Sequence, residues 1–258
     1  MNKHIAITGA SSGIGESLAR ELGRTGARLS LIARRKDALE ALARSLGTET
    51  FIAPQDLSDL DHACDWIAPA EAALGPIDVL IKNEGMHFVG RTAEVPPERG
   101  EALIKLDLFA PLRLTRAVLP AMIARRSGTI VDITAMAALA PLPYMAHYDA
   151  AKAGLAAASE SLRAELAGTG VHVVTVYPGY IETELAREGE EAFEASAALR
   201  WLPRGTAIEL ASRVRLAIEQ KQPRVLYPYP AALCRWFPGP MSWLVGRVAP
   251  RLRASAQR

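Results

Sequence analysis

A tyrosine and a lysine four residues apart, Tyr148 and Lys152 in "YDAAK", stand inside an alanine-rich run that reads as helix. Side chains at i and i+4 share a helix face, so a phenol and an ammonium meet there. The pair suits proton transfer at a carbonyl or hydroxyl oxygen, because a cation beside a phenol favours its ionised form. A second set lies at the head of the chain. In "ITGASSGIGESLA" (7–19), Gly9, Gly13 and Gly15 fall where an apolar run gives way to a helical one. Glycines there permit a tight turn and let backbone approach a pyrophosphate, whose charge suits a helix N-terminus. A plain strand–helix turn is the alternative, and the order of strand, glycines and helix argues against it.

Two further segments bear on a nucleotide. After the second apolar run comes "ARRKD", where Arg34 and Arg35 occupy the place at which an acid would bind a ribose 2′-hydroxyl. Guanidinium groups suit a 2′-phosphate, so NADP(H) is favoured over NAD(H); a solvated basic helix start is the other reading. In "PQDLSD", Asp56 has a carboxylate for an adenine amino group and Ser58 a hydroxyl to cap the next helix. Asp56 as a simple turn residue stands beside that reading.

These residues need elements to position them. Apolar runs at 4–8, 28–33, 50–54, 77–81, 129–134, 171–177 and 224–228 alternate with helical periodicity at 16–25, 36–46, 60–74, 98–125 and 150–168. The alternation predicts an α/β fold, a doubly wound parallel sheet with helices on both faces. With 258 residues, half of them hydrophobic, one domain over 1–258 is expected. A formal net charge of +2 gives no reason to invoke nucleic acid. Cys64 and Cys234 are too few and too far apart for a disulfide framework or a metal site. Together with the absence of a leader before the first strand, they place the chain in the cytoplasm.

The motifs together resemble the short-chain dehydrogenase/reductases over about residues 3–228: "TGASSGIG" (8–15), Asp56, "NEG" (83–85), "YDAAK" (148–152) and "YPGYIET" (177–183). The resemblance implies a Rossmann-like fold and hydride transfer between a nicotinamide and a carbon bearing oxygen. It implies Tyr148 as the general acid/base and Lys152 as its helper and a hold on the nicotinamide ribose. The nucleotide would lie along Gly9, Ser11, Ser12, Gly13, Ile14 and Gly15, then Arg34, Arg35, Asp56 and Leu57, then Asn83 and Gly85. Pro178, Gly179, Ile181 and Thr183 would flank the nicotinamide. Residues 181–205 would form a substrate lid, with a helical flap over 185–202. Helices 98–125 and 150–168 would carry the contacts of a homo-oligomer.

Three departures from the family pattern bear on function. The family's serine position falls on Ala135, which has no donor for a carbonyl oxygen. Thr134 precedes it, and strand neighbours point to opposite faces, so its hydroxyl is not expected to substitute. Asp107 replaces an asparagine and adds a carboxylate near Lys152, weakening that lysine's effect on Tyr148. Glu84 replaces an alanine beside the cofactor, and burial of an unpaired carboxylate is costly. It is therefore expected to swing outward, with a solvated pair to Lys82.

The leading expectation is an NADP(H)-dependent oxidoreductase on a carbonyl or alcohol, slowed about 10²–10³-fold by the lost donor. A catalytically silent NADP-binding regulator or inactivated variant is the alternative; an interaction protein with neither cofactor nor turnover is a third. The apolar lid and tail hint at a lipophilic substrate. The tail from 229, with five arginines, two tryptophans and no acids over 233–258, suggests peripheral contact with an anionic membrane. Packing on its own domain or a partner subunit is the other reading of that tail.

Overall fold

The computed structural model describes residues 3–195, 203–229 and 233–253. Seven parallel strands form the central sheet: β1 (His4–Thr8), β2 (Arg28–Ala33), β3 (Thr50–Pro54), β4 (Val79–Lys82), β5 (Gly128–Ile133), β6 (Val171–Pro178) and β9 (Arg224–Tyr227). Their order is β3-β2-β1-β4-β5-β6-β9. A two-stranded parallel pair, β7 (Tyr180–Ile181) with β8 (Arg204–Gly205), lies apart from it. The strands are continuous apolar runs because helices cover both faces. On one face, Leu18 and Leu22 of α1 (Gly13–Gly23) and Leu210 and Val214 of α8 (Ala207–Glu219) pack with Ile7, Leu29 and Val174. On the other, Ile67 of α3 (Ile67–Leu74) and Leu114 and Val118 of α5 (Ala110–Ala124) pack with Leu80, Ile130 and Val173. The doubly wound sheet expected from the sequence is observed.

Three helical expectations need correction. The run at 98–125 is α4 (Pro97–Ile104), a π turn (Lys105–Phe109) and α5, where the Ala110 amide donates to the Lys105 carbonyl. Apolar periodicity does not register one inserted residue. The run at 60–74 is helical only in α3; residues 57–66 are turns, in which Asp59 accepts from the Asp61 amide at 3.2 Å. Short polar side chains offer the backbone such alternatives to a helix. The run at 150–168 starts earlier, as α6 (Ala146–Glu165), which puts Tyr148 in its first turn.

β1 is the strand from which the order runs outward both ways, to β2 and to β4. Open α/β sheets bind ligands outside the carboxyl ends of their strands at such a reversal of order.

Candidate active site

The glycine loop leaves β1 at Thr8. Gly9 has φ +62°, a left-handed conformation that favours glycine, and a Cβ there would lie 2.9 Å from Asn83 Nδ2. A Cβ on Gly15 would collide with the Gly9 carbonyl. The loop is braced from β4, since Asn83 Nδ2 donates to the carbonyls of Thr8 (3.2 Å) and Gly9 (3.3 Å). Ser12 is the N-cap residue of α1 and its hydroxyl makes no cap bond, while Ile14 packs on the core behind the loop. Thr183 comes in from the other side, its methyl 3.3 Å from where a Gly13 Cβ would lie. It also caps α7 (Glu184–Glu191) by accepting from the Ala186 amide at 3.2 Å. The segment with Pro178, Gly179 and Ile181 is held by the Gly179 amide, which donates to the Tyr227 carbonyl at 2.7 Å.

At the end of β2, Arg35 donates to the Ser11 carbonyl (3.3 Å) and hydroxyl (3.2 Å), closing the loop's outer rim. Arg34 is exposed beside it. Asp56 accepts from both the amide (2.9 Å) and the hydroxyl (2.7 Å) of Ser58. Partial burial works against its charge, but those bonds and Arg34 hold the carboxyl below its ordinary value. Ser58 therefore caps no helix and serves this turn. The Leu57 side chain is buried in the core with Trp66 and faces away from the loop's rim.

Tyr148 and Lys152 lie in the first two turns of α6, with the ammonium 5.8 Å from the phenol ring centre. Lys152 is paired. The π turn directs the fully buried Asp107 inward, and its carboxylate lies 3.1 Å from Lys152 Nζ. The other Asp107 oxygen accepts from the Met86 amide at 2.9 Å, fixing the segment just after Gly85. Burial works against the Lys152 charge, but Asp107, with Tyr148 and Glu84 adding to it, raises its pKa. Tyr148 departs from the simple expectation of an acidified phenol. Burial pushes its pKa up, Lys152 opposes, and Asp107 and Asp149 add to the rise.

Ala135 is extended and buried and offers only its methyl. The Thr134 hydroxyl donates to the Val176 carbonyl on β6 and is committed there. The residue that sequence reasoning missed is His87. Its ring centre lies 6.0 Å from that of Tyr148, edge to face. A Cβ at Gly189 of α7 would run into the imidazole, so the ring sits between Tyr148 and the lid helix. Burial lowers its pKa, leaving a neutral imidazole with one N–H to donate. A histidine two residues beyond "NEG", in a chain with five, was the available signal.

Glu84 overturns the expectation of a solvated carboxylate. Its side chain is 6% exposed and meets the Thr8 hydroxyl under the glycine loop. Lys82 is not its partner: it pairs with Asp132 at 2.7 Å and donates to the Pro111 carbonyl at 3.2 Å. The reason lies in the sheet, where Lys82 and Asp132 are register partners on β4 and β5. Burial raises the Glu84 pKa, and proton counting agrees. Thr8 has one hydroxyl proton for two acceptors, the Ile81 carbonyl at 3.2 Å and Glu84. A protonated Glu84 would donate to that hydroxyl, while its Oε1 has no hydrogen-bond partner.

Of the segment expected as a lid, α7 spans Glu184–Glu191, and residues 196–202 lie outside the described residues. Glu190 anchors it by accepting from the Tyr180 hydroxyl and by pairing with Arg204 at 2.6 Å.

A family model described as short chain dehydrogenase matches residues 3–193. A short chain dehydrogenase of Pseudocercospora fijiensis is 34% identical over 199 residues, covering 75% of this chain. The chain spans less than two thirds of that relative's length, 64%. A fatty acyl-CoA reductase of Mycobacterium tuberculosis is 34% identical over 231 residues, 84% of this chain and 78% of that protein. A solved structure of a metagenomic short-chain oxidoreductase in complex with NADP matches with TM-score 0.74 at 33% identity, covering 87% of this chain and 96% of that one.

Proposed function

The chain belongs to the short-chain dehydrogenase family, and we propose that it is an NADP(H)-dependent oxidoreductase acting on a carbonyl or alcohol, slowed by Ala135. What supports this reading is the link from the glycine loop to Lys152 through residues 83–85: Asn83 Nδ2 donates to the Gly9 carbonyl at 3.3 Å, and Lys152 Nζ lies 3.2 Å from where a Gly85 Cβ would be. The loop fits a dinucleotide: side chains on Gly9 and Gly15 would fill the cradle, and α1 presents its N-terminus there. Arg34 and Arg35, at the end of a strand that lacks an acid, suit a 2′-phosphate. The NADP in the metagenomic relative supports the same choice.

When bound, the nicotinamide supplies or accepts the hydride. The protein's part is positioning and proton transfer. In the reducing direction Tyr148 gives its proton to the carbonyl oxygen as that oxygen gains charge. Burial raises the phenol's pKa, so Tyr148 begins the reducing step as the protonated acid. Lys152 stabilises the phenolate left behind, with Asp107 holding the ammonium in place and offsetting part of its field. No hydroxyl at 135 assists, which supports a turnover about 10²–10³-fold below that of a site with the donor.

Lipophilic carbonyls are the substrate class we favour, from the exposed apolar side chains of the tail and from the printed activity of the mycobacterial relative. We read residues 1–258 as one catalytic domain. The free thiols of Cys64 and Cys234 support a cytoplasmic setting, and among the described residues no helix is long and apolar enough to cross a membrane. A groove of about 720 Å³ between α5 and α6, lined by Leu112, Leu119, Leu155 and Leu162, supports self-association through these helices.

The test is titration with NADPH and NADH, followed by NADPH oxidation with a panel of aldehydes and ketones. NADPH binds more tightly, and Arg34→Glu weakens NADPH far more than NADH. Equal affinities in the unmodified protein would remove the NADP assignment. The second reading, a silent NADP-binding regulator, is favoured by the coincidence of Ala135 with the Lys152–Asp107 pair. NADPH binding with no turnover, even after Ala135→Ser, would establish it instead.

A further inference from the structure

Seven of the fourteen large hydrophobic side chains exposed among the described residues lie between Tyr229 and Val248. Six of them belong to an arm, residues 233–248, made of α9 (Leu233–Trp236) and α10 (Pro238–Val248), neither of which contains a buried residue. Trp236 is 77% exposed, Trp243 65% and Phe237 56%, with Leu244 and Val248 beside them. In α10 the positions 240, 243, 244 and 247 follow i, i+3, i+4, i+7 spacing and share one face. Arg247 lies on that face, its guanidinium 5.6 Å from the Trp243 ring centre. Arg235, Arg251 and Arg253 are also exposed, and residues 229–258 contain no acid.

We infer that this arm is an interfacial anchor for an anionic lipid surface. Tryptophan and arginine on one exposed face suit the headgroup boundary, where the ring lies among acyl chains and the guanidinium among phosphates. Charge decides between the occupants. In a two-fold contact between copies each patch meets its own equivalent, and residues 229–258 bring no acid to pair the arginines. An anionic surface supplies the counter-charge.

Both ends of the arm are fixed to the candidate site. At its start, Cys234 packs against Met136 and Tyr177, next to the segment that carries Ala135. At its end, Leu252 bridges to Phe193 beyond α7. The Glu194 amide donates to the Arg251 carbonyl at 2.8 Å, and the Arg253 amide to the Ala192 carbonyl at 2.9 Å. A surface that holds the arm therefore also holds the lid's edge. Lipophilic carbonyls dissolved in that surface reach the lid without crossing water; this delivery rests on the reductase reading above, whereas the adsorption does not.

The test is co-sedimentation of the full chain with vesicles of phosphatidylglycerol and phosphatidylcholine in equal parts, against phosphatidylcholine alone. The protein pellets with the anionic vesicles at low salt and is released as salt screens the arginines. Arg235→Gln and Arg247→Gln each lower the partition coefficient about fivefold. The Trp236→Ser, Trp243→Ser pair abolishes pelleting while leaving NADPH affinity unchanged, which also shows that the variant is folded. Full-length protein remaining in the supernatant, or pelleting that ignores these substitutions, would overturn the inference. So would arm variants that change only the sedimentation coefficient of the protein alone, since that would make the arm a contact between copies. Vesicle binding is read without turnover, so its failure leaves the reductase reading standing, and failure of the reductase assay leaves the anchor standing.

Discussion

Asp149 follows the candidate acid directly and carries a sharp pH prediction. Its Oδ2 accepts from the Leu142 amide at 2.8 Å, tying the loop after Ala135 to the first turn of α6. Its Oδ1 has no hydrogen-bond partner. Burial raises its pKa from 3.8 to about 7, with the Leu142 amide opposing. A folded-state pKa above the unfolded one means that the native protein holds the proton longer. This contribution to stability is therefore largest at low pH and falls as pH rises from about 4 to about 7. Each unit is worth about 1.4 kcal/mol, and the whole shift about 4 kcal/mol. Between about pH 5 and about pH 8 the loss is about 3 kcal/mol. Asp149→Asn keeps an acceptor for Leu142 and cannot ionise, so it lacks this loss. The measurement is urea unfolding of both proteins at the two pH values. The asparagine variant gains about 3 kcal/mol on the unmodified protein across that interval. Parallel pH profiles would mean that Asp149 is ionised throughout, and would refute the reasoning.

Three further outcomes are expected. Ala135→Ser raises turnover about 10²–10³-fold with little change in NADPH affinity, and Tyr148→Phe in that background abolishes the gain; equal turnover with serine or alanine would mean that position 135 does not face the reacting oxygen. His87→Ala lowers turnover about 10-fold or more in the unmodified protein but has a smaller effect in the Ala135→Ser background, because one donor then covers for the other; equal losses in both backgrounds would limit His87 to packing under the lid. Glu84→Gln is nearly neutral in thermal unfolding, whereas Glu84→Ala costs about 1–3 kcal/mol through the unmatched Thr8 network and the space it leaves, and an alanine variant as stable as the parent would contradict a protonated, bonded Glu84.

The sheet was legible because its strands are mostly apolar, and the glycine loop because its position between strand and helix has few other uses. The π turn was not, since 97–124 keeps one helical periodicity and the inserted residue shows only in where Asp107 points. Glu84 was misplaced for a related reason. Cost arguments about a lone carboxylate favour solvent, and only tertiary structure shows Thr8 within reach and Lys82 already held by Asp132. His87 escaped notice because its meaning depends on Tyr148 and Gly189, distant in sequence and adjacent in space. The turns at 57–66 carry apolar spacing compatible with helix, and local acceptors such as Asp59 decided against it.

The Lys82–Asp132 pair has a consequence for how the chain finds its alignment. β4 and β5 are short apolar segments buried on both sides, and such strands lack the inside–outside alternation that usually fixes their relative offset. Their one pair of opposite charges supplies it. A slip by one position would set Lys82 against Ile133 and Asp132 against Ile81, stranding two charges where unpaired ionisation is strongly penalised. Only one alignment neutralises both. Asn83 follows directly on one strand and Ala135 lies two residues past the other, so the same proofreading sets the spacing between the residue that braces the glycine loop and the segment that carries Ala135.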